Sequence, residues 1–364
     1  MAAILILGGY GATGRLLAKH LLTQTDANIV LAGRNLDKAR ALSDALDSPR
    51  VSIRRVDASD ETGLRAALQD STLCLVAAPT THHTQTVIRA CLAASVDYLD
   101  VQFSSAKLRS LYAAEEEIKK AGLCFVTEAG YHPGLPAAMV RFAASRMDAI
   151  ESAVTAGYLN MGPTLPYTEA VDELMEAFIN FEAQVYKDGA WTNPKQWAMT
   201  KFDFGAGIGV RTCYSMYFEE LRRLPEMHPS LKNVGFYISG SNWIADLLIT
   251  PIVMLGLKLA PKRGLRPLGK LMWWGMRQSP PPYQVAIAVE AKGLKNGARA
   301  KVFARVAHSD GYELTAIPVV AYLKQYLDGS ARKPGLHMMG QLARPMCLFE
   351  DMERMGADIA TFEE

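Results

Sequence analysis

The sequence predicts an α/β protein with an N-terminal doubly wound parallel sheet, followed by a second, α+β domain that is mostly antiparallel. Three observations carry this reading. The strands of the first 130 residues are short apolar runs, as strands covered on both faces must be. Each is followed by a stretch of helical periodicity. A Gly-rich turn joins the first strand to the first helix. Beyond residue 150 the strands lengthen and pair as hairpins.

In order, residues 3–7 form a wholly apolar first strand, 15–22 a helix and 28–32 a second strand. Residues 36–46 are a helix with Leu42 and Leu46 four apart, and 51–56 alternate up to Asp57. Residues 60–68 are a helix capped by Ser59 or Asp60; 73–77 are a strand, 84–94 a helix and 96–101 a strand. One long helix is expected over 105–121, stopped by Gly122, then a sixth strand over 123–127 and a helix over 133–145. The second domain offers strands at 153–159, 210–217, 233–239, 283–291 and 299–307, and an acidic amphipathic helix at 169–183. The last two strands flank Asn296-Gly297, a hairpin signal. Residues 313–327 return to helix, and the tail reads as short helix and loop. The expected domains are 1–145, 146–312 and 313–364.

The chain has 364 residues, 49% of them apolar, and a net charge of +2. That excludes a disordered chain and gives no global reason to expect nucleic acid as a partner. Five widely spaced cysteines, with no CxxC pair, read as free thiols in a reducing compartment and not as zinc ligands. The start Met1-Ala2-Ala3 enters a strand with no basic region before it, so the expected location is cytoplasmic. The longest apolar run, 247–257, is far short of the ~20 residues that span a bilayer.

Gly9-Tyr10-Gly11-Ala12-Thr13-Gly14 fits G-x-G-x-x-G, directly after a strand and at the start of a helix. In that setting Gly9 permits the tight turn, Gly11 lets backbone approach a pyrophosphate and Gly14 lets the helix pack closely. The pyrophosphate would rest on the helix N-terminus. The second strand ends Ala32-Gly33-Arg34-Asn35, with no acid before Asp37. A carboxylate there would bind a ribose 2′-hydroxyl, whereas a guanidinium pairs with a 2′-phosphate, so Arg34 favours NADP(H) over NAD. Asp57 either contacts the adenine edge or caps its own turn.

These residues resemble the saccharopine dehydrogenase-like family. The resemblance rests on the run from Ile6 to Arg15, on Ala32-Gly33-Arg34-Asn35, on Ala90-Cys91 with Asp97-Tyr98-Leu99-Asp100, and on the turn Ala129-Gly130-Tyr131-His132-Pro133-Gly134-Leu135. It implies a Rossmann domain, a second domain that often dimerises, and C-terminal helices (313–364) returning to the first domain. It also implies hydride transfer at a carbon–nitrogen bond of an amino-acid-derived substrate, or at a carbon–carbon double bond of a lipid-like one. Two loops depart from the family pattern, Ala78-Pro79-Thr80-Thr81 and Val101-Gln102-Phe103, and both follow strands where substrate would meet nicotinamide. By analogy Ala78, Pro79 and Thr80 line the cofactor. Candidates for moving or orienting a proton are His132, with Tyr131 beside it, and Asp100. No tyrosine has Lys four residues on, which argues against short-chain dehydrogenase chemistry. His82-His83 are adjacent and point apart, so no metal is expected.

Between Leu247 and Val289 there are six basic residues and no acidic one, with Trp273-Trp274 among them. This reads either as contact with anionic lipid or a hydrophobic substrate, or as a buried helical hairpin with a basic rim. The favoured function is an NADP(H)-dependent oxidoreductase acting on an imine or an apolar unsaturated small molecule. The alternative is an NADP-binding, membrane-associated regulatory protein without turnover.

Overall fold

The computed structural model describes residues 2–163, 167, 171–172, 175, 179, 182–193, 198–205 and 207–364. The chain forms two compact units, Met1–Gly130 with Thr315–Met352, and Tyr131–Leu314 with Glu353–Glu364.

The first unit runs β1 (Ala3–Leu7), α1 (Ala12–Gln24), β2 (Asn28–Gly33), α2 (Leu36–Leu46), β3 (Val51–Arg55), α3 (Glu61–Leu68), β4 (Leu73–Val76), α4 (Thr84–Ala94), β5 (Asp97–Asp100), α5 (Ser105–Ala113), α6 (Glu115–Lys120) and β6 (Cys124–Thr127). Its all-parallel sheet has, among the described residues, seven strands in the order Gly335–Met338, β6, β5, β4, β1, β2, β3. Strand order reverses between β1 and β4, the switch point where such sheets bind ligands beyond their carboxyl ends. Leu5, Leu7, Cys74, Val76, Tyr98 and Phe125 fill one face, and Tyr98 stacks on Phe125 at 5.2 Å. Each such side chain contributes ~1.5–3 kcal/mol by leaving water. Asp60, not Ser59, caps α3, accepting from the Gly63 N–H at 3.0 Å. The single helix expected over 105–121 is two helices that break at Ala114, where φ is −99° and ψ 0°.

The second unit holds α7 (Leu135–Ala144), β7 (Ala149–Asn160), β8 (Val185–Lys187), β9 (Ala190–Thr192), β10 (Met199–Asp203), β11 (Val210–Met216), α8 (Leu224–Met227), β12 (Asn233–Ser239), α9 (Thr250–Leu259), α10 (Pro261–Met276), β13 (Gln284–Lys295) and β14 (Ala298–His308). The sheet order is β10-β11-β12-β7-β13-β14, then Asp358–Glu363 at the edge, with β8 on β12 and β9 on β8. The β12–β7 pair is parallel; the other pairs described are antiparallel. Lys295 pairs with Ala298 across the expected turn. Asn296 and Gly297 both take positive φ there (52° and 75°), as a turn matching strand twist requires.

The sequence reading sets the first boundary at 145, whereas the units divide at Gly130/Tyr131, because α7 lies against β7, β13 and β14. The tail also differs from expectation. After α11 (Gly311–Leu327) come β15 (Gly335–Met338), α12 (Met339–Leu342), α13 (Pro345–Arg354) and β16 (Asp358–Glu363). Thus β15 extends the first sheet beside β6, and β16 edges the second beside β14. The expected acidic helix at 169–183 falls mostly outside the described residues.

Candidate functional site

The turn between β1 and α1 is shaped by glycines that the backbone itself demands. Gly8 holds φ +84°, and a Cβ there would lie 2.6 Å from the Ala78 Cβ. A Cβ on Gly14 would lie 2.2 Å from the Gly8 carbonyl oxygen, and one on Gly9 would lie 2.9 Å from a Leu31 methyl. Gly11 is different. Its nearest neighbour would be the Gly8 oxygen at 3.1 Å, so its missing side chain leaves an open approach to the α1 N-terminus. No side chain caps α1, and no acid sits in its first turn (Ala12, Thr13, Gly14). A dinucleotide fits here: a cradle that any Cβ would fill, in front of uncapped helix amides and the positive end of the helix dipole.

At the end of β2 the Tyr10 hydroxyl accepts from the Asn35 N–H at 3.0 Å, and the ring lies where a Gly33 Cβ would be. Asn35 Oδ1 accepts from the Lys38 N–H at 3.0 Å and caps α2. Arg34 between them is exposed. Asp57 Oδ1 accepts from the backbone and hydroxyl of Ser59, and these bonds hold its carboxyl below the usual range, helped by Arg34 and His83. Of the two sequence readings of Asp57, turn capping is the one the structure displays.

The loops after β4 and β5 are tied together by a residue that the sequence reading noted only as a departure. Gln102 Nε2 donates to the Ala78 carbonyl at 2.6 Å and lies 3.5 Å from the Thr80 hydroxyl; Thr80 is buried and Pro79 exposed. Beneath them Asp100 is wholly buried. Its oxygens accept from Tyr98 Oη (2.8 Å), Thr127 Oγ1 (2.8 Å), the Gln102 N–H (3.2 Å) and Lys107 Nζ (2.6 Å). Lys107, equally buried, also donates to the Gln102 carbonyl. Both Asp100 oxygens are thus engaged by the protein itself, and the residue ties the β5 loop to β5, β6 and α5. Lys107 was missed because a lysine inside a helix reads as a solvated face. Glu128, wholly buried at φ 53° after β6, gave no sequence signal either.

Tyr131 and His132 belong to the second unit. The His132 ring sits 3.7 Å from the Tyr131 ring, 6.3 Å from Phe218 and 6.0 Å from Phe236, centroid to centroid. Its Nε2 is buried and makes no hydrogen bond among the described residues. Burial pushes the imidazole down to about 4 and the Tyr131 phenol far above its ordinary value. At neutral pH His132 is thus a neutral ring and not a charged proton donor, contrary to the sequence expectation. The buried Glu220 accepts from the N–H groups of Gly134, two residues after His132, and of Ala137 at 2.7 and 3.1 Å and anchors the start of α7. Among the described residues no group of three or more His, Cys, Asp or Glu could hold a metal ion, and His82 and His83 are exposed in a 3₁₀ turn.

Residues 4–123 match the family described as Saccharopine dehydrogenase NADP binding domain. That match covers the Gly-rich turn and the first five strands of the first sheet. The chain is 26% identical over 253 residues to carboxyaminopropylagmatine dehydrogenase of Synechocystis sp., covering 66% of the chain and 63% of that protein. It is 25% identical to carboxynorspermidine synthase of Vibrio cholerae over 405 aligned positions, covering 96% of the chain and 94% of the relative. The match to saccharopine dehydrogenase [NADP(+), L-glutamate-forming] of Saccharomyces cerevisiae is 29% identical but spans only 29% of that protein. The chain thus spans less than two thirds of the Synechocystis and S. cerevisiae relatives. The fold is that of apo saccharopine dehydrogenase (L-Glu forming) from S. cerevisiae, with a TM-score of 0.69, 15% identity and 100% of both chains covered.

Proposed function

We propose that this protein is an NADPH-dependent reductase of a carbon–nitrogen double bond, in a substrate that joins an amine to a carboxyl-bearing carbonyl compound. The observation that carries this is the near-full-length likeness to a carboxynorspermidine synthase, over a chain that retains the uncapped Gly-rich cradle. Two of the relatives are named for carboxylated amines. An apolar unsaturated substrate, slightly favoured in the sequence reading, has no support among these relatives.

In this reading Gly9, Tyr10, Gly11, Ala12, Thr13 and Gly14 hold the pyrophosphate on α1, and Arg34 meets the 2′-phosphate. Ala78, Pro79 and Thr80 flank the nicotinamide, kept in register by Gln102 and, beneath it, Lys107 and Asp100. The cofactor, when bound, supplies the hydride. The five cysteines are free, which suits a reducing cytoplasm, and a homodimer through the second unit is the assembly the family implies.

The test is NADPH oxidation at neutral pH with pairs of a diamine and a carboxylated aldehyde. Turnover that needs both partners supports the reading. NADPH binding with no turnover across such pairs would favour the non-catalytic alternative.

A further inference from the structure

The helical hairpin between β12 and β13 exposes what a globular fold normally hides. A π-helical turn, Ile244–Ile249, runs into α9, and α10 returns against it. One side of this first arm is a core: Ile249, Val253 and Leu257 are buried with Met272 and Met175. Another face is just as apolar and stands in solvent. Leu248, Ile252, Leu255 and Leu259 recur at helical spacing, each more than half exposed, and Trp243 and Leu247 extend the exposed set. A surface helix carries polar residues on such a face. The returning arm has a stripe of opposite character: Arg263, Arg266, Lys270, Trp274 and Arg277 follow one another at spacings of three and four, all exposed.

We propose that this hairpin docks on an anionic lipid bilayer, with the exposed stripe of α9 entering the acyl boundary and the basic stripe of α10 meeting the headgroups. Charge selects the occupant. The segment from Leu247 to Val289 holds six basic residues and no acid, within the range of clusters that bind anionic lipid. A second copy docked through the same face would set this basic segment against itself, with no acid in it to pair. No helix among the described residues is long and apolar enough to cross a membrane, so the hairpin lies in the interface plane. The inference does not depend on the reaction proposed above.

The experiment is flotation of the full chain with vesicles of phosphatidylcholine, alone or with phosphatidylserine at three to one. The wild type should float with the mixed vesicles at low salt, and less as salt rises. Each basic residue near such a surface is worth about fivefold, so the triple variant Arg263→Gln, Arg266→Gln, Lys270→Gln should bind about a hundredfold more weakly. The variant Leu248→Ser, Ile252→Ser, Leu255→Ser should lose at least as much. Unchanged NADPH affinity in both variants shows that the fold is intact. Failure of the wild type to float, or flotation unaffected by both variants, overturns the proposal. So does self-association without vesicles that the serine variant abolishes, which would name a second copy as the occupant.

Discussion

Replacing Lys107 with Met probes what holds the carboxyl edge of the first sheet in shape. Lys107 and Asp100 are wholly buried, with Nζ 2.6 Å from Oδ1. With an effective dielectric of ~20, the attraction at that separation is about 6 kcal/mol, most of it offset by desolvation of the two ions. Methionine keeps the length and apolar character of the stem, so little packing is lost. What remains is a buried Asp100 with only the Tyr98 and Thr127 hydroxyls and the Gln102 N–H as donors, and a Gln102 carbonyl without its lysine. One-sided removal of a buried pair costs ~3–5 kcal/mol. The expected result is an unfolding free energy, from urea titration followed by far-UV circular dichroism, lowered by that amount relative to wild type. The double variant Asp100→Asn, Lys107→Met should lose clearly less than the sum of the two single variants. NADPH affinity should also fall in Lys107→Met, because Gln102 holds the Ala78 carbonyl. A loss under about 1 kcal/mol, or an additive double variant, would refute the reasoning.

Arg34→Ala should weaken NADPH binding about tenfold to a hundredfold, the worth of a charge-assisted phosphate contact, and leave NADH binding unchanged when both are titrated by fluorescence. Gly14→Ala places a methyl 2.2 Å from the Gly8 oxygen, so the turn must shift; NADPH binding should be lost and the melting temperature should fall by several degrees, reflecting ~1–3 kcal/mol of overpacking. His132 is held neutral by burial, with its folded value near 4 and its unfolded value near 6.5. The unfolded chain therefore takes up this proton first, and stability present above pH 6.5 declines as pH falls from there to about 4, by ~3 kcal/mol in all. Urea midpoints at pH 7 and pH 4.5 should show that slope in the wild type and a shallower one in His132→Asn; equal slopes would contradict it.

Where the sequence was informative, a local rule and the global fold agreed. Asn296-Gly297 predicted a hairpin because both positions need positive φ, and the pairing of β13 with β14 closes there. Gly9 to Gly14 predicted the nucleotide turn because strand, turn and helix follow within a few residues, although it is Gly8 that takes the left-handed conformation. Non-local features were not legible. The four residues of β15 carry no pattern of their own and become a strand only by pairing with β6, two hundred residues earlier in the chain. The break at Ala114 lies in a run with no Gly or Pro to mark it. Lys107 and Gln102 look like surface residues until the chain closes over them. His132 was noticed as a histidine, but its aromatic surroundings come from β12 and the segment before α8, and they remove the charge the sequence suggested.

The late strand β15 also bears on how the protein is made. Asp97 begins β5, and its buried carboxylate is held by the Cys124 N–H, Tyr326 and Arg332. Two of those three partners leave the ribosome more than two hundred residues after Asp97. Until then the first sheet has an open edge at β6 and an unneutralised acid at the foot of β5. The first unit reaches its final form only after residues 131–314 of the second unit have been synthesised. A ribosome stalled between the two would present an exposed strand edge to chaperones and proteases, and no N-terminal fragment ending before β15 can complete the nucleotide-binding unit.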